Sequence, residues 1–365
     1  MPMRLELEKR AERSRVMSLV SPLIAIVLTI VAGAIMFLTL GKNPWDTLYT
    51  FFIRPLADWR SAQDVVVKAV PLVLIALGLA VCYRSNNWNI GAEGQFTAGA
   101  IAGSALPILV PDFATGWTIP LMLLCGALGG MVYGAIPALL KIRFNTNEIL
   151  TSLMLVYIAQ LVLDYLVRGP WRNPQGFNFP ESRIFSAAQR MPRIGDGRMT
   201  IAVYITLAVL VILWIVLARS KKGFEVKVLG ASPRAGAFAG FSAGWMTLSA
   251  FLVSGALAGL AGIMEVAGPV RQLVPTISPG YGFTAIIVAF LGRLSPPGIL
   301  IAGFVLAVTY VGGVAAQISL RLPSQATGVF QGMLLFFVLA CDTLILYRLR
   351  FVRGPRAREA ARGTV

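Results

Sequence analysis

The stretch of this chain best equipped for chemistry is Asn89-Ile90-Gly91-Ala92-Glu93-Gly94-Gln95, preceded by Arg84-Ser85-Asn86-Asn87-Trp88. It places amides and one carboxylate, Glu93, between two apolar runs at 66–82 and 96–110. A carboxylate among apolar helices is costly unless it is paired or wet. Glu93 therefore lines a solvated path or orients a broken helix, its charge suiting the N-terminus of the helix that begins near Gln95. The competing reading is a cap that merely fixes a loop. Asn145, Asn147 and Glu148 form a similar polar start to the run 148–167, where either asparagine suits a helix cap. Glu265 and Asp342, near the ends of their runs, read as interfacial.

Much other chemistry is excluded. The chain has no histidine, so imidazole-based zinc sites and histidine acid/base catalysis are absent. Cys82, Cys125 and Cys341 form no CxxC pair and imply neither a metal nor a disulfide framework. No G-x-x-x-x-G-K-[ST] occurs, so ATP is not bound through a P-loop, and no nucleophile-and-base constellation is visible. The chain reads as a non-enzyme without cofactor or metal; energy, if needed, comes from another subunit.

The elements that must position these residues are apolar. The chain is 57% hydrophobic and 13% charged, against roughly 25% charged in soluble domains. Apolar segments fall near 17–40, 66–82, 96–110, 118–140, 148–167, 200–218, 244–266, 281–292, 297–317 and 328–347. The expected fold is all-α, a polytopic transmembrane bundle of about ten segments with broken or re-entrant helices. The first run is too long for a signal-peptide core of about 7–15 residues and reads as an uncleaved span. The net charge of +16 gathers at both ends and between the runs, as orientation in a bilayer demands, rather than marking a nucleic-acid partner. The basic arm 1–16 and the basic tail 348–365 then lie in the cytoplasm, flanking a permease domain at 17–347. The arginine-rich loop 168–199 falls outside by this count, since longer loops obey the charge rule less strictly.

Three segments look short. Residues 66–82, 96–110 and 281–292 would reach about 25, 22 and 18 Å as helices, against a hydrocarbon layer of about 30 Å. Non-helical backbone persists at membrane depth only when buried in protein or lining a water-filled cavity. A polar break between short helices is thus a pointer to a transport path, and its recurrence around 279–298 suggests two related halves. Gly126, Gly130 and Gly134, Gly99 with Gly103, and Gly255 with Gly259 form small-residue faces for close helix packing. Between 219 and 243 lies a different segment, Gly230-Ala231-Ser232-Pro233-Arg234-Ala235-Gly236-Ala237-Phe238-Ala239-Gly240. Ser232-Pro233 starts a helix there. Its small-residue face suits a docking partner better than a lipid surface.

The run Asn89–Gln95 closely resembles the signature of nucleoside-type permeases of ATP-binding cassette (ABC) importers, which group with the ribose and branched-chain amino acid permeases. Phe144–Leu155 resembles that family's fifth-span start, Val228–Ala235 its coupling segment, and Phe283–Pro296 its late short helix. The resemblance covers about residues 66–347. It implies a nucleoside permease working with a second related permease as a heterodimer, an ATPase subunit with two nucleotide-binding domains, and an extracytoplasmic substrate-binding protein. It also implies a cytoplasmic-membrane location. Asn89, Glu93, Gln95, Asn147, Glu148 and Phe283 are then candidates for the substrate pathway. Gly230, Ala231, Ser232, Pro233, Arg234, Ala235 and Ala239 are candidates for ATPase coupling. Gly236, Phe238 and Ser242 depart from the family's mix, which bears on the docking contacts. A simple-sugar importer is the alternative within the class. An ion-coupled carrier would need a deep ionisable relay, and no run of such residues is present.

Overall fold

The computed structural model describes the backbone of residues 3–9, 15–195 and 197–353, and side chains over 20–195 and 197–341. The chain divides into two compact units, Met1–Trp45 with Gly328–Val365, and Asp46–Thr327.

The first unit holds α1 (Arg15–Thr39), where Phe37 stacks on Phe330 at 6.3 Å. Its β1 (Met3–Lys9) and β2 (Tyr347–Arg353) pair antiparallel, Met3 opposite Arg353. These strands fall in the basic arm and tail, where the sequence pattern announced no element. The remainder of both, and the side chain of Asp342, lie outside the described residues.

The second unit begins within the short helix α2 (Pro44–Phe52), followed by α3 (Arg54–Ala57). It continues with α4 (Trp59–Arg84), α5 (Ala92–Leu109), α6 (Thr118–Phe144), α7 (Glu148–Arg168) and α8 (Ala202–Arg219). After the short α9 (Lys221–Ala231) and α10 (Pro233–Phe238) come α11 (Ala243–Glu265), α12 (Tyr281–Leu291) and α13 (Pro296–Leu320). The chain then runs into α14 (Gln325–Leu346), most of which belongs to the first unit. Each of the ten apolar segments is a helix. Among the described residues, seven helices are long and apolar enough to cross a membrane.

One length expectation is corrected. The run 66–82 is the apolar part of α4, which spans 26 residues, about 39 Å. The helix starts earlier because Arg60, Gln63 and Asp64 continue it past the apolar stretch; hydropathy marks the part solvated by hydrocarbon, not the end of the hydrogen-bonded spiral. By contrast α5, with 18 residues, and α12, with 11, are short as expected.

α4 is apolar on all sides and buried along most of its length, packed by α8, α11, α12 and α13; a helix hydrophobic all round belongs in a bundle's centre. α11 lies against α5 and α6 along the glycine faces read from the sequence. The backbones approach so closely that a β-carbon on Gly259 would lie 2.3 Å from the Gly126 carbonyl oxygen. Without a hydrophobic drive between helices in lipid, such close packing is a main source of association. Gly259→Leu should therefore cost about 3 kcal/mol by overpacking, at the upper end of the usual range. We expect loss of the monodisperse peak in detergent size-exclusion; an unchanged peak and melting temperature would refute the seam's importance.

Candidate functional site

The break between α4 and α5 is built to satisfy itself. After Arg84 the backbone turns through Asn86 in the left-handed region (φ 57°), a conformation asparagine tolerates. The chain then folds back into the bundle. Asn89 donates to Ser254 Oγ at 3.0 Å, and Ser254 abuts Gly78. Since Gly78 lies six residues before the end of α4, the break re-enters by about 9 Å.

Its polar groups find protein partners. The Asn89 and Gln95 amides exchange hydrogen bonds at 3.0 and 3.2 Å, the Gly91 N–H donates to Asn89 Oδ1, and the Tyr83 hydroxyl donates to the Asn89 carbonyl. Asn87 Oδ1 accepts from Lys141 Nζ at 3.0 Å and Thr247 Oγ1 at 2.9 Å. Lys141 also pairs with Glu148 at 2.6 Å, and Glu148 accepts the Trp88 N–H at 3.4 Å. The Ile90 N–H donates to Ser152 Oγ. Trp88, 41% exposed, stacks with Phe290. A buried polar network satisfied this fully is rigid.

The sequence-derived residues therefore divide. Asn89 and Gln95, both nearly fully buried, are spent on each other. Asn147 caps α7, accepting from the Ile149 and Leu150 N–H groups, and Asn145 ends α6 in a left-handed conformation. Glu148 tethers α6 and α7 to the break. Glu93 is 1% exposed and accepts the N–H of Gly282 at 2.6 Å, so it caps α12 across the bundle from 189 residues away. A carboxylate at a helix N-terminus meets both free N–H groups and the positive dipole end. Phe283, next along α12, is 39% exposed.

Glu93 also borders a cavity of about 490 Å³ shared with Thr97 of α5, Tyr157, Gln160 and Asp164 of α7, and Ser278 of the loop before α12. Reasoning from sequence missed Lys141, Ser254 and Thr247 as partners of the break. It also placed Glu265 at the interface. Glu265 is in fact buried, pairing with Lys68 at 2.9 Å and accepting from the Tyr281 hydroxyl at 3.0 Å, while Lys68 also reaches Tyr281. The available signal was Lys68, a lone cation inside an apolar run, which needs an acid.

The Ser232–Pro233 start is as read: Ser232 accepts from the Ala235 N–H and Pro233 opens α10. Of the coupling candidates, Ala231, Pro233, Arg234, Ala235 and Ala239 are exposed, and Ser232 is half-buried. Phe238 is 95% exposed. Gly236 packs on Leu229, and Val226 and Leu229 of α9 seat on Met246 of α11. Gly230 meets the end of α4 so closely that a β-carbon there would fall 1.9 Å from the Arg84 carbonyl oxygen.

A bundle of apolar spans that buries a polar break beside short helices and a polar cavity has the architecture of a membrane transport subunit. Residues 61–339 match the family described as branched-chain amino acid transport system / permease component, and the chain belongs to that family. It is 32% identical to a glucose ABC transporter permease of Haloferax volcanii over 93% of this chain and 92% of that one. It is 30% identical to a guanosine ABC transporter permease of Bacillus subtilis, over 95% and 99%. It is 31% identical to a nucleoside ABC transporter permease of Lactococcus lactis, over 93% and 96%. The chain is an integral-membrane permease subunit of the ABC importer type.

Proposed function

We propose that this permease carries a nucleoside across the cytoplasmic membrane. It works with a second related permease, an ATPase subunit with two nucleotide-binding domains, and an extracytoplasmic binding protein, and both of its termini are cytoplasmic. The observation that carries the substrate reading is the cavity beside Glu93. Its volume falls in the range of about 300–1,000 Å³ usual for small-molecule sites. Thr97 and Gln160 offer hydrogen bonds to ribose hydroxyls, and Tyr157 offers an aromatic face to a base. Glu93 borders the path directly, whereas Phe283 does not line this cavity. Asn89, Gln95, Asn147 and Glu148 serve it from behind by holding the break. Two relatives whose names specify guanosine or nucleosides support the reading. The glucose-named relative supports a simple sugar as the alternative, for which Gln160 and Asp164 would be the main contacts.

The segment 219–243 is proposed as the seat of the ATPase, with Ala235 and Phe238 exposed on α10, Ala239 exposed at its end, and Gly230 passing the motion to α4. Uptake tests the substrate assignment: cells carrying the complete transporter should accumulate labelled guanosine or adenosine, and unlabelled nucleosides should compete at least tenfold better than glucose. Competition by glucose and not by nucleosides would replace the nucleoside with the sugar.

A further inference from the structure

A second cavity, of about 590 Å³, lies among α4, the turn following α11, α13 and the loop before α8. Asp64 on its wall is 20 residues from Arg84, about 30 Å along α4, so this cavity sits at the end of the bundle remote from α9 and α10. Its charge is lopsided. Lys68, Arg193, Arg198 and Arg271 line it, against the single carboxylate of Asp64. Arg198 is taken by Asp64 at 3.1 Å, and Lys68 by Glu265 at 2.9 Å. Arg193 and Arg271 have no acidic partner among the described residues.

The backbone under these two guanidiniums is fixed. Arg193 bridges to Thr200. The N–H of Arg271 donates to the Val266 carbonyl, and its carbonyl accepts from Phe185. The rest of the wall includes Thr200 and Tyr310 beside the apolar Val67, Val311 and Val314. Val314 is 52% exposed, so the cavity opens along α13.

We propose that this cavity is a binding site for a phosphate group, with Arg193 and Arg271 as the paired guanidiniums that hold it. Guanidinium groups match phosphate oxygens in planar, bidentate geometry. Two cations with no acid beside them among the described residues, on a fixed backbone, leave a charge that an anion would neutralise. The source is a phospholipid headgroup, its chains on Val67, Val311 and Val314, or a free phosphate. This site is separate from the cavity beside Glu93 and does not depend on the substrate assigned there.

The test uses the full-length chain purified in neutral detergent. Wild-type protein offered equal phosphatidylglycerol and phosphatidylcholine should retain the anionic lipid at least fivefold more often by native mass spectrometry. Arg193→Gln with Arg271→Gln should abolish that preference, while Arg271→Lys, which keeps the charge, should retain part of it. Stabilisation of wild type by inorganic phosphate over equal chloride, without lipid preference and lost in the double variant, would support the site and identify the free anion as its source. Wild type with neither lipid preference nor phosphate response overturns the proposal, whatever the variants do. So does anion binding that survives loss of both arginines. A phenotype of the double variant that requires the extracytoplasmic binding protein, with no anion effect in its absence, would also overturn it, in favour of a protein docked on this face.

Discussion

Replacing Glu93 by alanine is expected to lower the initial rate of substrate uptake by more than tenfold while leaving the protein in the membrane at near wild-type amounts. The carboxylate is the acceptor for the Gly282 N–H at 2.6 Å and lies almost wholly out of solvent. Removing it leaves a buried donor without a partner, a cost of about 1–3 kcal/mol. It also removes the charge opposing the dipole of α12. The loss falls on one contact between α5 and α12, whereas α5 is held separately by the glycine seam with α6 and α11. The damage is therefore expected in the position of α12 and in the cavity beside it, not in insertion. Glu93→Gln keeps an oxygen acceptor but loses the charge, and charged hydrogen bonds are roughly twice as strong as neutral ones. It should transport at an intermediate rate. Uptake at the wild-type rate by both variants would reduce Glu93 to a dispensable cap.

The second large effect is expected at Gly230. The space there is closed by the Arg84 carbonyl at 1.9 Å from any added β-carbon, and the obstacle is backbone that cannot rotate away. Gly230→Val must lift α9 from the end of α4. Because Arg84 leads directly into the break, the same displacement separates α9 from Arg84 and Ser85, where the break begins. We expect substrate-stimulated ATP hydrolysis by the assembled transporter to fall to its unstimulated level, with membrane insertion intact. Ala235→Glu with Ala239→Glu, exposed on α10 and at its C-terminal end, should produce the same loss by obstructing the docked partner while leaving α9 in place. If Gly230→Val retains full stimulation, the contact with α4 is not the route of coupling.

The legibility of these features in the sequence follows from the range of the interactions that create them. Apolar runs report solvation by hydrocarbon, a property of each segment alone, and all ten emerged as helices. Ser232-Pro233 and Asn147 were readable because a cap bonds to residues two or three positions away. The polar break was readable as an anomaly in an apolar sequence, although its last residues, Ala92–Gln95, form the first turn of α5. Its partners were not. Ser254 lies 165 residues from Asn89 and Gly282 lies 189 from Glu93, and neither serine nor glycine carries a mark of such pairing. The true start of α4 was missed because Arg60, Gln63 and Asp64 leave the hydrocarbon without leaving the helix. Glu265 was misjudged because proximity to a segment's end looks like exposure until Lys68 and Tyr281 are brought against it.

The closure of the polar break on itself bears on how such a protein can move. A hinge needs groups with spare partners, so that dihedrals can change without stranding a donor. From Asn87 to Gln95 the side-chain amides are already committed, to one another or to neighbouring helices. This stretch should behave as a strut, with its amide protons exchanging with deuterium as slowly as those of the helices it joins. A push delivered at Arg84 would then arrive at the cap of α12 with little lost to local bending.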